Sequence, residues 1–379
     1  MRKLTDRKTL RSIDWWLVAN IFALVLYGLV SIAAAMATAA TGEEATLADK
    51  LANLNLYYVF RQAIWFVIGL VAMIFIMSID YNTIKDMSPL IYWINIGILA
   101  ALFELGKATN NAVSWYTFSG IGFQPSELCK LSMLLMLSRV LSQGFAEDGI
   151  QTFRDLIKPA GIVVLPFVLI ALQPDMGTAM VIACMALGVF FVVRIRKRIV
   201  LGCAGGFIAA LPLIWLVLST TQRNRIRVFL GLTDDATGTE YNVRMSQMAI
   251  GSGGVAGKGM FAEGNLSQLD WVPVKESDFI FSVAGETFGF IGGIILILLY
   301  ASLLWRTIRI AIKTRDRFGS LVVIGIASMM FAHIFENMGM AMGIMPVTGI
   351  PLPFVSYGGS SMLTNMMAYG LVLNIGSRW

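Results

Sequence analysis

The sequence predicts an all-α polytopic integral membrane protein of about ten transmembrane helices, with a large extracellular loop between the seventh and eighth. Three observations predict it. Of the 379 residues, 57% are hydrophobic and only 14% charged, the balance of a chain solvated by lipid rather than of a soluble enzyme with a large core. Apolar runs close to the ~20 residues needed to cross a ~30 Å hydrocarbon layer recur from one end of the chain to the other. A long polar stretch, 220–277, separates two of them.

The apolar runs fall at 15–38, 58–79, 88–105, 124–142, 158–173, 176–194, 199–219, 278–305, 318–342 and 358–376, and the chain, 1–379, reads as one membrane domain. A basic arm, 1–14, precedes the first run, which is too long for a signal peptide and has no small-residue cleavage site. Thr41 to Tyr57, with Glu43, Glu44 and Asp49, reads as a solvated outer loop. After the third run, Trp115, Tyr116 and Phe118 suit the membrane interface, where aromatic rings concentrate. The Asn- and Gly-rich turn beside Trp115 also suits the face of a sugar. Pro125 opens the fourth run, where its missing N–H is harmless. Gln173, Pro174 and Asp175 separate the fifth and sixth runs, a break tolerated only inside protein or beside a polar cavity. Proline and glycine are dense in PVTGIPLPFVSYGGSS, Pro346 to Ser361. That density predicts a segment folded back on the protein, then a helix that Ser360 helps to start.

Charge sets the orientation. With the N-terminus inside, 19 of the 29 Lys and Arg residues fall in inner segments, as the positive-inside rule requires. Both termini are then cytoplasmic and 220–277 is extracellular, so the net charge of +6 belongs to the membrane surface and not to a nucleic-acid site. Cys129, Cys184 and Cys203 are too scattered for a disulfide framework or a metal motif. A single histidine, His333, argues against nucleophile-histidine and His-rich metal chemistry. The run Gly251, Gly253, Gly254, Gly257 and Gly259 lacks the strand and the Lys-Ser ending of a nucleotide loop.

Against this background a few residues carry chemistry. Asp278 stands at the mouth of the eighth run, at the end of the polar loop. A carboxylate there is costly to keep near hydrocarbon, which makes it a functional candidate; the plainer reading is that Ser277 or Asp278 caps the helix that follows. The loop holds six cations and six anions, with Arg223, Arg225 and Arg227 crowded at its start. Guanidinium forks suit phosphate oxygens, although arginines snorkelling at a helix end have the same spacing. Glu127 and Lys130 lie three apart on one helical face, and they either satisfy one another or meet a substrate. His333, Glu336 and Asn337 read as polar glue between helices.

Taken together, QPSELCKL (Gln124 to Leu131), QPDMGTA (Gln173 to Ala179), QRNRI (Gln222 to Ile226), AIGSGGVAGKG with SQLDWVP and SDFIF (Ala249 to Phe281), and NMGMAMGIMPVTGIPLPFVSYGGSS (Asn337 to Ser361) resemble the SEDS family, the RodA and FtsW type of peptidoglycan polymerases. The resemblance covers nearly the whole chain, and the SQLDWVP wording looks more like the RodA branch. It implies a ten-helix enzyme of the bacterial cytoplasmic membrane that polymerises lipid II, an undecaprenyl-pyrophosphate disaccharide-pentapeptide, beside a class B penicillin-binding protein. The family's essential loop acid falls on Asp278, its tryptophan after the third helix on Trp115, its fourth-helix acid and base on Glu127 and Lys130, and its loop arginine on Arg223 or Arg225. Lys258 and Ser360 complete the substrate-binding candidates. Asn111 and Val113 stand where the family often has a glycine and a basic residue, which argues against phosphate binding by that loop.

Joining a sugar hydroxyl to an anomeric carbon that carries pyrophosphate needs a base and a place for the departing charge. Asp278 is the candidate base. Pyrophosphate leaves as a stabilised anion, so cations suffice; Arg223, Arg225 and Lys130 are candidates, as is a bound divalent ion, and no other cofactor is called for. Two other functions fit parts of the sequence. A lipid II transporter would use Glu127, Lys130, Glu336 and the broken helices, and a scaffold for a transpeptidase would need none of the polar-loop chemistry.

Overall fold

The computed structural model describes residues 12–37, 54–105, 107–109, 112–118, 121–145, 149–232, 238–262 and 264–378. The basic arm up to Arg11, the outer-loop acids Glu43, Glu44 and Asp49, and Asn111 lie outside the described residues. Helices follow in the order α1 (Trp15–Ala35), α2 (Tyr57–Ser78), α3 (Tyr81–Leu105), α4 (Pro125–Gly144), α5 (Phe153–Leu172), α6 (Met176–Val192), α7 (Lys197–Val217), α8 (Thr220–Phe229), α9 (Thr239–Ser252), α10 (Ile280–Lys313), α11 (Arg317–Ala341) and α12 (Gly359–Gly376). Each of the ten apolar runs falls on one of these helices. Among the described residues seven helices are long and apolar enough to cross a membrane: α1, α2, α3, α5, α7, α10 and α11. The chain is a multi-pass membrane protein.

Two departures from the sequence reading have physical causes. Helices α3 and α5 begin earlier than expected, at Tyr81 and Phe153, and run through Pro89, Pro159 and Pro166. Proline in a helix frees the carbonyl four residues back, which apolar surroundings cannot satisfy. Here side chains step in. The Lys85 carbonyl, freed by Pro89, accepts from Arg139 Nη1 at 3.0 Å and from Ser88 Oγ at 2.8 Å, and the Ile162 carbonyl, freed by Pro166, accepts from Tyr92 Oη at 3.0 Å. The second departure is a small antiparallel sheet in a chain expected to be all-α: β1 (Lys107–Thr109), β2 (Ala112–Phe118) and β3 (Ile121–Phe123), in the order β1-β2-β3. It joins α3 to α4 where the sequence suggested only an interfacial turn.

Helix α11 is the hub of the bundle: it packs against α4, α6, α10 and α12, and two-thirds of its spanning window is buried. Helix α7 is its opposite, with 6% of its window buried. The polar stretch after α7 is not a plain loop, because α8 and α9 form within it and α9 packs on α10.

Helix α10 is interrupted at Gly289, whose φ of 64° and ψ of −162° no helix contains. The freed backbone is met by the glycine-rich segment after α9. Lys258 N and Gly259 N donate to the Glu286 and Thr287 carbonyls, both at 3.0 Å, and Phe290 N and Ile291 N return hydrogen bonds to Gly254 at 2.9 Å and Val255 at 3.1 Å. Two backbones meet here without side chains between them. A Cβ on Gly257, itself at φ +84°, would sit 2.2 Å from the Thr287 oxygen, and one on Gly289 would sit 2.2 Å from the Gly257 nitrogen.

Gly257→Ala is therefore expected to destabilise the protein by on the order of 2 kcal/mol or more through strain and lost docking, with Gly254→Ala as a control that shares a positive φ but meets no neighbour. Thermal unfolding of the purified proteins in detergent measures both; equal midpoints would show that the close approach contributes nothing.

Candidate active site

At the end of the bundle that carries α8 and α9, a cavity of about 540 Å³ opens between six segments. Helix α2 contributes Arg61 and Trp65, the β3–α4 junction Gln124 and Glu127, and the α5–α6 break Asp175 and Thr178. Arg225 comes from α8, Glu276 to Asp278 from the entry to α10, and Thr348 to Pro351 with Tyr357 to Ser361 from the returning segment between α11 and α12.

Asp278 is fixed by its backbone, which leaves its carboxylate to the cavity. The N-cap of α10 is Phe279, with no side-chain cap, so neither Ser277 nor Asp278 is consumed in capping. Asn337 of α11, fully buried, donates from Nδ2 to the Asp278 carbonyl at 2.9 Å and to the Ile350 carbonyl at 2.8 Å. Ser356 Oγ donates to the Ser277 carbonyl at 2.5 Å, and Tyr357 N to the Glu276 carbonyl at 2.9 Å. Gln62, buried on α2, holds the same returning segment by donating to the Ser356 carbonyl at 2.9 Å and accepting from Gly358 N at 3.1 Å. Gly349, at φ +74°, lies so close that an added Cβ would stand 3.3 Å from Asp278 Oδ2. Burial pushes the Asp278 carboxyl above its ordinary range; the Ser277 hydroxyl, 2.8 Å from Oδ1, pulls it back, the Glu276 charge raises it and Arg225 lowers it.

The three loop arginines do not converge. Because α8 is a helix, residues two apart point about 200° from one another. Arg225 lines the cavity, anchored by Nη1 to the Val347 carbonyl at 3.1 Å. Arg223 instead donates from Nη2 to the Leu216 carbonyl at 2.7 Å, and Arg227 lies 5.8 Å from the centre of the Trp215 ring. Lys258 is likewise turned away: it pairs at 3.3 Å with Glu286, a fully buried carboxylate that also accepts from Leu266 N, Ser267 N and Ser267 Oγ. Its place is in the docking of the glycine segment on α10. Glu127 reaches the cavity, whereas Lys130 is fully buried behind it, 2.7 Å from Glu127 Oε1 and 2.9 Å from His333 Nε2. His333 Nδ1 lies 2.9 Å from the Met329 carbonyl. Since that oxygen can only accept, Nδ1 carries the proton, and Nε2 accepts from Lys130. Ser360 lines the cavity, and its Oγ accepts from Gln124 N at 3.1 Å. Trp115 lies in β2, paired in register with Lys107, and its side chain lies outside the described residues.

Two cavity residues escaped the sequence reading. Arg61 is a cation in the first turns of a lipid-exposed helix, bonded through Nη1 to Tyr57 Oη at 2.9 Å; a charge at that depth is itself the available signal. In the sequence Asp175 reads only as part of a break, yet its Oδ2 accepts from Gln124 Nε2 at 3.0 Å and Ser126 Oγ at 3.3 Å while Oδ1 caps α6. Among the described residues no three His, Cys, Asp or Glu side chains come together as a metal site. A magnesium-like ion would have to be held by one or two of the cavity carboxylates together with oxygens of a ligand.

The family model described as cell cycle protein, covering FtsW, RodA and SpoVE, matches residues 15–378. Stage V sporulation protein E of Bacillus subtilis is 36% identical over 380 residues, which cover 98% of each chain. The peptidoglycan glycosyltransferase MrdB of Escherichia coli K12 is 35% identical over 313 residues, 81% of this chain and 82% of MrdB. Among solved structures, a chain from work on the structural coordination of polymerization and crosslinking by a peptidoglycan synthase complex superposes with a TM-score of 0.80 at 27% identity, covering 96% of this chain and 97% of that one.

Replacing Asn337 by Ala removes the donor shared by two loops and leaves two buried carbonyls short of a partner, a loss of about 1–3 kcal/mol each. Hydrogen–deuterium exchange should rise at 276–280 and 350–357 and stay unchanged in α6. Unchanged exchange in the two loops would mean that the amide does not hold them.

Proposed function

The chain belongs to the FtsW, RodA and SpoVE family of cell cycle proteins, and from that membership we infer a peptidoglycan glycosyltransferase that polymerises lipid II at the outer face of the bacterial cytoplasmic membrane. Its relative in the synthase complex works where polymerization is coordinated with crosslinking, and a penicillin-binding transpeptidase of class B is the partner that this implies here. Both termini are assigned to the cytoplasm, because the opposite end of the bundle carries the arginine-rich short loops. The single observation that carries the site assignment is the cavity that brings the Asp278 carboxylate together with the guanidinium groups of Arg225 and Arg61.

In this reading Asp278 takes the proton of the acceptor sugar hydroxyl as that oxygen forms its bond to the anomeric carbon. The bond from the anomeric carbon to the pyrophosphate oxygen breaks, and its electron pair leaves with the pyrophosphate. Raising the carboxyl above its ordinary range makes it a better base. Arg225 and Arg61 receive the departing charge, already aimed by their bonds to Val347 and Tyr57. A single direct displacement inverts the anomeric centre. Glu127, held by Lys130, and Ser360 line the cavity for the sugar hydroxyls and amides. Arg223 and Lys258 act at one remove, fixing α8 and the glycine segment. No step requires a metal; an ion arriving with the substrate's phosphates would add positive charge at the same place.

Polymerisation of labelled lipid II in the presence of the partner tests this. Asp278→Asn is expected to lose at least ~10²-fold in rate with an unchanged melting temperature. The wild-type acid limb, which reports the ionisation of a base, should lie above the ~4 of an ordinary carboxylate, and Arg225→Gln should move it higher still, since that arginine lowers the carboxyl's pKa. Glycan ladders of equal length and rate from Asp278→Asn would remove Asp278 as the base.

A further inference from the structure

The opposite end of the bundle carries a second pocket, of about 440 Å³, that the polymerase chemistry does not use. Arg194 reaches it from the turn after α6, Arg315 from the turn between α10 and α11, and Arg317 from the first residue of α11, with Gly149 and Ser320 also in the lining. Its walls are built. Gly149, at φ +69°, lies so close to the Arg194 carbonyl that a Cβ would stand 2.1 Å from the oxygen. Ile150 N donates to the Arg194 carbonyl at 2.8 Å and Arg196 N to the Ile150 carbonyl at 3.1 Å, which locks the loop before α5 to the loop after α6. On the other wall Asp316, the carboxylate that separates the two arginines in sequence, caps α11 through Gly319 N at 2.9 Å, and Ser320 Oγ donates to the Ala311 carbonyl at 3.0 Å.

Orientation in the membrane requires positive charge on this face, but any lysine or arginine on the surface supplies it. Arg196, Lys197, Arg198 and Lys313 do so without lining the pocket. The pocket gathers arginines from two separate turns into one concavity, an arrangement whose self-repulsion an anion relieves. All three are arginine, whose planar fork matches phosphate oxygens in pairs where lysine offers only a point charge. Arg194 and Arg315 make no salt bridge among the described residues. Val192 lines the rim while half of it faces outward, and Phe191, 91% exposed, stands beside it on α6. The mouth thus adjoins a surface made for acyl chains.

We propose that this pocket binds a phosphate group in the forks of Arg194 and Arg315, as an anionic phospholipid headgroup or as free phosphate. Basic pockets between helix ends on this side of a membrane are the usual place for such headgroups. Two other occupants are available: none, if the arginines serve only the surface potential, and the chain's own Glu147 and Asp148, which precede Gly149 and lie outside the described residues.

The full chain, exchanged into mixed micelles, is examined by native mass spectrometry for retained phosphatidylglycerol against phosphatidylcholine, with and without millimolar inorganic phosphate. Wild type should retain phosphatidylglycerol selectively, and the double variant Arg194→Gln, Arg315→Gln should lose about tenfold in affinity, or 1.4 kcal/mol, at unchanged polymerase activity. The Arg194→Lys, Arg315→Lys variant keeps the charge and loses the fork, so its retention should fall between the two. Displacement of the lipid by inorganic phosphate would identify the bare phosphate as sufficient; resistance to it would identify the headgroup as the ligand. Equal retention of both lipids by wild type, or a lysine variant indistinguishable from wild type, would overturn the proposal in favour of surface potential. Binding gained by Glu147→Gln, Asp148→Asn where wild type has none would overturn it in favour of an internal ion pair.

Discussion

From inside α11, the side-chain amide of Asn337 donates to the carbonyls of Asp278 and Ile350, and the arrangement of the cavity follows from that fork. It joins the entry to α10 to the segment that returns before α12. Ser356 and Tyr357 add two more bonds between the same pair of segments, and Gln62 ties the returning segment to α2. With its backbone held this way, Asp278 does not cap its own helix, and it lines the cavity.

A hydrocarbon solvent makes every unmatched polar group expensive, and several groups left unmatched by interrupted helices find partners within the protein. Carbonyls freed by Pro89 and Pro166 are met by Arg139 and Tyr92; the interruption of α10 at Gly289 is met by the backbone of the glycine segment. Glu286 is wrapped by Ser267, Leu266 and Lys258, and Lys130 by Glu127 and His333. Polar groups spent on one another in this way hold the scaffold rigid. Asp278, Arg225, Arg61 and Glu127 line the cavity.

The helices were legible because the membrane imposes length and composition directly on sequence, so each of the ten apolar runs falls on a helix. Their starts were less legible: Pro89 looks like a boundary until Arg139 and Ser88 are known to meet the freed carbonyl. The sheet after α3 was hidden because its strands are short and follow no clear alternation. Asp278 could be singled out as an acid placed at a hydrophobic boundary, but Arg223, Arg225 and Arg227 could not be told apart, since only the helical turn of α8 sends one of them to the cavity. Lys258 looked like a substrate ligand because the sequence gives no hint that Glu286 lies buried 3.3 Å from it. Arg61 and Asp175 join the cavity through tertiary contacts alone.

The most direct test of the account is a structure of the chain, with its transpeptidase partner, trapped with a lipid II analogue whose anomeric bond cannot be broken. The account predicts the pyrophosphate within reach of Arg225 and Arg61, and the acceptor hydroxyl about 2.6–3.2 Å from an Asp278 carboxylate oxygen. A pyrophosphate seated elsewhere, with Asp278 facing solvent or solely its own loop, would contradict it.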